Sequence, residues 1–273
     1  MIDTLLQPFQ FPFMQNAFLI ALIIAPPCAL LSCFLVLKGW ALMGDAVSHA
    51  VLPGIVLAYL AGLPLLLGAF AAGLGSALLT GFLADNSRIK RDTAMGVVFS
   101  GMFAAGIVLF IAFPSQWHLD HILFGNMLGV GTEDLWTSAL IAIPVTLALS
   151  LKWRDLMLHA FDPAQAQVSG LRTGVLHYGL LAILALTIVA TLSSVGLILA
   201  IGLLIAPGAI AFLLTRSFGA MLVTATLVCL LAMIAGIWAS FHLDSAPAPT
   251  VILILTGVFL LAFLRRVLLS HAR

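Results

Sequence analysis

The chain has 273 residues and a formal net charge of +1; it is 63% hydrophobic and only 8% charged, where soluble domains carry about 25% charged residues. Apolar runs of about 20 residues recur along nearly the whole length, so it reads as an all-α, polytopic membrane protein and not as a soluble domain. No basic run is present to make a nucleic-acid surface.

Nine spans follow in order, or eight if the short second and third are merged. The first, 17–37, holds Cys28 and Cys33. These and Cys229 lack CxxC spacing and sit in apolar segments, so they read as packing residues. No Lys or Arg precedes this span, and a cleavable signal peptide is not expected.

The second span, 46–60, opens inside Gly44-Asp45-Ala46-Val47-Ser48-His49-Ala50-Val51-Leu52-Pro53-Gly54. An ionisable group in lipid costs roughly 2.5–3.5 kcal/mol, so such groups face a pore or a partner. Residues i and i+4 share a helix face. Asp45 and His49 can therefore hold one cation between them, or form a structural hydrogen bond that locks two helices. Pro53-Gly54 lies just beyond. Proline removes a backbone donor, and unpaired backbone at membrane depth is tolerated inside protein or along a wet cavity. Pro207-Gly208 in the seventh span poses the same choice between a pathway-lining break and a packing kink.

The remaining spans are 64–83, 94–113, 135–151, 177–192, 196–214, 220–240 and 249–264. Lys38, Arg88, Lys90, Arg91, Lys152, Arg154, Arg172, Arg216, Arg265, Arg266 and Arg273, all 11 basic residues, then fall on one side. The positive-inside rule assigns that side to the cytoplasm, which puts the N-terminus outside and the C-terminus inside. The opposite side carries Asp3, Asp120, Glu133, Asp134 and Asp244. There, His118-Leu119-Asp120-His121 has the composition of a metal-binding loop, though interface histidines also cap helices. His242 and Asp244 pose the same alternative. His159, His177 and His271 sit at membrane edges and are expected to be bystanders.

The cytoplasmic stretch 152–174 predicts a short helix. Asp162 suits the N-cap, Pro163 the first helical position, and Gly170 a left-handed stop. It reads either as a surface helix against the membrane or as a docking helix for a cytoplasmic partner. No linker marks off a soluble domain, so residues 1–273 are expected to form a single transmembrane domain.

No GxxxxGK[ST] loop is present, so the chain is not expected to hydrolyse ATP. HExxH and GxSxG are also missing, and Ser48 beside His49 cannot make a nucleophile–base pair because adjacent helical side chains diverge. Carboxylate with imidazole suits Mn²⁺, Fe²⁺ or Zn²⁺. So sparse a ligand set fits an ion in transit, and no permanently bound cofactor is expected.

With these residues in view, the chain resembles the ABC-3 permeases of manganese, zinc and iron importers over nearly its whole length. Residues 44–54 fit the GDxxSHAxLPG element; 118–126 are similar to an LDHxLFGN loop; Phe161-Asp162-Pro163-Ala164 with Gly170 resembles a cytoplasmic coupling segment; and 195–208 fit a VGxIL…LLIxP span. Residues 92–100 resemble the opening of the span that follows. After Asp244 the family's Pro-Ser-Gly turn is replaced by Ser245-Ala246-Pro247-Ala248-Pro249. The resemblance implies a subunit of the bacterial cytoplasmic (inner) membrane. It implies three partners: a separate ATPase dimer, a second permease that is identical or a sister chain, and a periplasmic metal-binding protein. Asp45 and His49 would line the pathway or gate it, and Asp120 and His121 would shape the outer entrance. Pro53, Gly54, Pro207 and Gly208 would be hinges, and Asp162, Pro163 and Gly170 would form the coupling helix. The openings 8–14 and 28–39 are similar to the chelated-iron/manganese subgroup, favouring Mn²⁺ or Fe²⁺ over a zinc importer.

Rival readings are an ion-coupled secondary transporter, for which only Asp45 is a clear intramembrane carboxylate, and a non-transport subunit in which the pair is structural. A siderophore or cobalamin permease is a third, and it is not expected to carry the GDxxSH pair.

Overall fold

A computed structural model describes residues 7–113 and 127–271. Among them, twelve α-helices and two short 3₁₀ turns make up the regular structure. In chain order the helices are α1 Pro12–Leu37, α2 Ala41–Ala50, α3 Leu52–Leu60, α4 Leu65–Asp85, α5 Arg91–Ala112 and α6 Thr132–Leu151, then α7 Trp153–Phe161, α8 Pro163–Val168, α9 Thr173–Val195, α10 Leu197–Leu214, α11 Phe218–His242 and α12 Pro247–His271. Among the described residues, nine segments are long and apolar enough to cross a membrane, with α2 and α3 together making the second. The nine expected spans are thus present, and helices are the form in which a chain meets its own backbone hydrogen bonds in lipid.

Burial orders the bundle. The most apolar window of α1 is 67% buried and that of α12 only 17%, so α1 is the hub and α12 an outer flank of the bundle. Helix α1 packs against α6, α10 and α11, and α10 also packs against α12. Helices α3, α4 and α5 form a second group, with α2 bridging it to α10. Cys28, Cys33 and Cys229 are free thiols buried in the core, as packing residues should be.

Without water, polar side chains turn back on their own helices. Ser48, Thr146, Thr187 and Thr226 each donate to the carbonyl four residues earlier, at 2.7–2.9 Å. Small residues let helices touch where dispersion is the main attraction. At the α3–α4 crossing, a Cβ on Gly54 would overlap the Gly68 carbonyl oxygen, and one on Gly68 would overlap that of Gly54.

Candidate functional site

Asp45 and His49 lie one turn apart on α2, with His49 Nε2 3.3 Å from Asp45 Oδ1. That exceeds the ~2.7–2.9 Å of a charge-assisted hydrogen bond. It matches two ligands on one cation: metal bonds of about 2.1 Å at tetrahedral or octahedral angles put such atoms roughly 3.0–3.4 Å apart. The side chains are 25% and 35% exposed, so a face of the pair is open. Phe103 and Phe99 of α5 flank the imidazole at 5.1 and 5.9 Å between ring centres. The imidazole Nδ1 is buried and has no hydrogen-bond partner. Among the described residues no third His, Cys, Asp or Glu joins the pair. Further ligands for an ion must come from water, backbone or another chain.

Local sequence explains why the pair stands where it does. Pro53 has no N–H to close the turn on the His49 carbonyl, and helix continuity fails at Val51, where α2 gives way to α3 with Pro53 in its first turn. The close contact with Gly68 then seats α3 against α4. On the other side, Gly44 packs against Leu204 of α10.

The second Pro-Gly behaves differently. Helix α10 runs through Pro207 without interruption. The Gly208 N–H donates to Ser32 Oγ of α1 at 2.9 Å, and Ser32 Oγ donates to the Ile205 carbonyl at 3.1 Å. One hydroxyl thus repairs the turn that proline disrupts, and a Cβ on Gly208 would collide with the Ser32 backbone at 2.6 Å. Sequence reading missed Ser32. The only signal was a serine in an otherwise apolar span, and its partner lies 176 residues away.

In the 152–174 stretch, Asp162 Oδ1 accepts the Gln165 N–H at 2.9 Å and Pro163 opens α8. Gly170 takes a φ of +81°. The Leu171 and Gly170 N–H groups close the end on Ala166 and Gln167, both at 3.0 Å, a Schellman stop that favours glycine. The preceding α7, which the sequence reading did not separate, presses Leu156 and His159 inward.

His118, Asp120 and His121 lie outside the described residues. His242 packs its ring on Trp238 at 4.4 Å, and Asp244 takes a left-handed turn with φ of +49°. His159 is 5% exposed, and its ring meets that of His177 at 6.1 Å.

Nine apolar spans among the described residues, with a carboxylate–imidazole pair beside a proline break, mark a multi-pass membrane protein. Residues 10–266 match the ABC 3 transport family, and the chain belongs to it. It is 53% identical to the chelated iron transport system membrane protein YfeD of Yersinia pestis over 94% of this chain and 87% of that one. It is 43% identical to the manganese transport system membrane protein MntB of Synechocystis sp. over 95% and 85%. The solved PsaBC of Streptococcus pneumoniae, in complex with Fab, superposes with a TM-score of 0.87 at 34% identity, covering 96% of this chain and 95% of that one.

Proposed function

We propose that the chain is the permease subunit of an ATP-driven importer that carries divalent metal ions, Mn²⁺ and Fe²⁺ first, into the cytoplasm. The observation that carries this is the Asp45–His49 pair: two ligand atoms 3.3 Å apart, partly open, on a helix interrupted two residues beyond. The similarity to relatives named for iron and manganese transport supports the choice of cargo.

Asp45 supplies charge and His49 Nε2 a neutral donor, which suffices to pause an ion without trapping it. A second permease subunit facing the open side completes the coordination shell. Zinc-type affinity exceeds that for manganese at most nitrogen/oxygen sites, so selectivity rests on geometry and on the periplasmic protein that delivers the ion. Asp120 and His121 shape the outer entrance. Pro53-Gly54, at the α2–α3 break, and Pro207-Gly208, within the unbroken α10, are the hinges of alternating access. On the side rich in Lys and Arg, which we take as cytoplasmic, Asp162, Pro163 and Gly170 hold the short helix that a separate ATPase dimer grips.

The test is uptake of radioactive manganese by cells carrying the permease with its ATPase and binding protein, with cold iron and zinc as competitors. Uptake that needs the ATPase, collapses in Asp45→Ala and His49→Ala at matched membrane levels, and yields to iron more than to zinc supports the reading. Normal transport by both variants would make the pair structural.

A further inference from the structure

Three helix ends converge on Trp40, in the short turn between α1 and α2. The Lys38 ammonium lies 4.7 Å from the centre of the indole ring, and the Arg91 guanidinium, from the start of α5, lies 5.3 Å from it. His177, near the start of α9, meets the same ring edge-on at 5.5 Å. Behind it lies His159 of α7, with both imidazole nitrogens buried and without a hydrogen-bond partner. The carboxylate that reaches this group is Asp85, 3.2 Å from Arg91 Nη2 and itself 69% exposed. Among the described residues Lys38 makes no ion pair.

Such an arrangement is incomplete as it stands. Like charges have been gathered around one aromatic ring with one partly solvated counter-charge, and a buried imidazole has neither its donor nor its acceptor used. Buried polar groups in folded proteins are nearly always paired. Burial and the Arg91 charge also hold the Lys38 ammonium below its ordinary pKa, the response of a cation short of counter-charge.

We propose that this cluster is a binding site for one phosphate-type oxyanion, supplied either by the headgroup of an anionic phospholipid or by soluble phosphate. Lys38 offers three N–H donors, and Arg91 keeps donors beyond the one held by Asp85. His177 lines the site, and His159 backs it with an uncharged ring that can donate. The cluster sits where α1 ends and α5 and α9 begin, at the boundary of three membrane spans, and basic pockets between spans at that depth capture lipid headgroups. A cation is disfavoured there by Lys38 and Arg91. An anion here ties the α1–α2 turn, four residues before Gly44-Asp45, to α7, which leads into α8.

The test uses the whole transporter, permease with ATPase, delipidated in neutral detergent. Melting temperature is followed while adding phosphatidylglycerol, phosphatidylcholine or inorganic phosphate, for wild type, Lys38→Gln and Lys38→Arg. The expected result is stabilisation by phosphatidylglycerol but not phosphatidylcholine, lost in Lys38→Gln and kept in Lys38→Arg. A response to inorganic phosphate alone, with the same dependence on Lys38, assigns the site to a soluble anion. No response of wild type to either anion overturns the proposal, as does a response that Lys38→Gln retains. Weakened ATPase binding by Lys38→Gln with no anion response in wild type also overturns it. The wild-type titration decides the matter even if Lys38→Gln fails to assemble, and none of the readouts depends on the ion transported.

Discussion

Polar residues at different depths in the bundle carry different burdens. Asp45 and His49 are partly exposed and do not hold the bundle together through a short hydrogen bond. Their replacement by alanine is expected to leave expression intact while cutting metal uptake at least tenfold, read as initial rate per unit of permease in the membrane. Ser32, fully buried, has the opposite profile. Ser32→Ala strands the Gly208 N–H and should cost about 1–3 kcal/mol, visible as a lower denaturation midpoint of the purified permease. His159 adds a pH dependence. Burial first, then Lys38 and His177, push its pKa down from 6.5 to about 4. Between those values the unfolded chain takes up a proton that the native protein refuses, so stability is full above about pH 6.5 and falls as pH drops towards 4. His159→Phe should flatten that part of the stability profile, which melting at pH 7.5, 6 and 5 would reveal.

At the scale of elements, breaks and stops matter more than helix length. Helix α8 has only six residues, too few to persist alone, and it depends on the Asp162 cap and the Gly170 stop. Asp162→Ala should remove about 0.5–2 kcal/mol from that segment. The expected signature is ATP hydrolysis that no longer tracks metal uptake, with α2 and its pair undisturbed. The α3–α4 crossing is stricter. Gly54→Leu would drive a side chain into the Gly68 backbone, and loss of folded permease by size-exclusion chromatography is the expected outcome. The Pro-Gly element at 53–54 was legible as a special position because proline and glycine have local consequences. That helix continuity fails beside Pro53 and holds through Pro207 was not legible, and the Ser32 hydroxyl that braces Gly208 comes from another helix.

For the whole molecule, the pair keeps an open face, and no third acidic, thiol or imidazole ligand joins it among the described residues. The spans themselves were readable one by one. A hydrocarbon layer about 30 Å thick demands runs of about 20 apolar residues, and that constraint is local. Burial within the bundle was not readable. Helices α1 and α12 are both strongly apolar, yet one is the hub and the other lies on the outside of the bundle, because in a membrane hydrophobicity does not separate inside from outside.

Sequence by itself therefore determined the class, the nine spans, the Asp45–His49 spacing and the cap-and-stop grammar of α8, all of which follow from residue chemistry within a few turns of chain. Tertiary structure alone decided that Ser32 mends α10, that Phe99 and Phe103 wall His49, and that His159, His177, Lys38 and Arg91 meet at one indole. Those contacts join residues far apart in the chain, and which ones form depends on how the helices dock, a collective balance of small packing terms that no local pattern encodes.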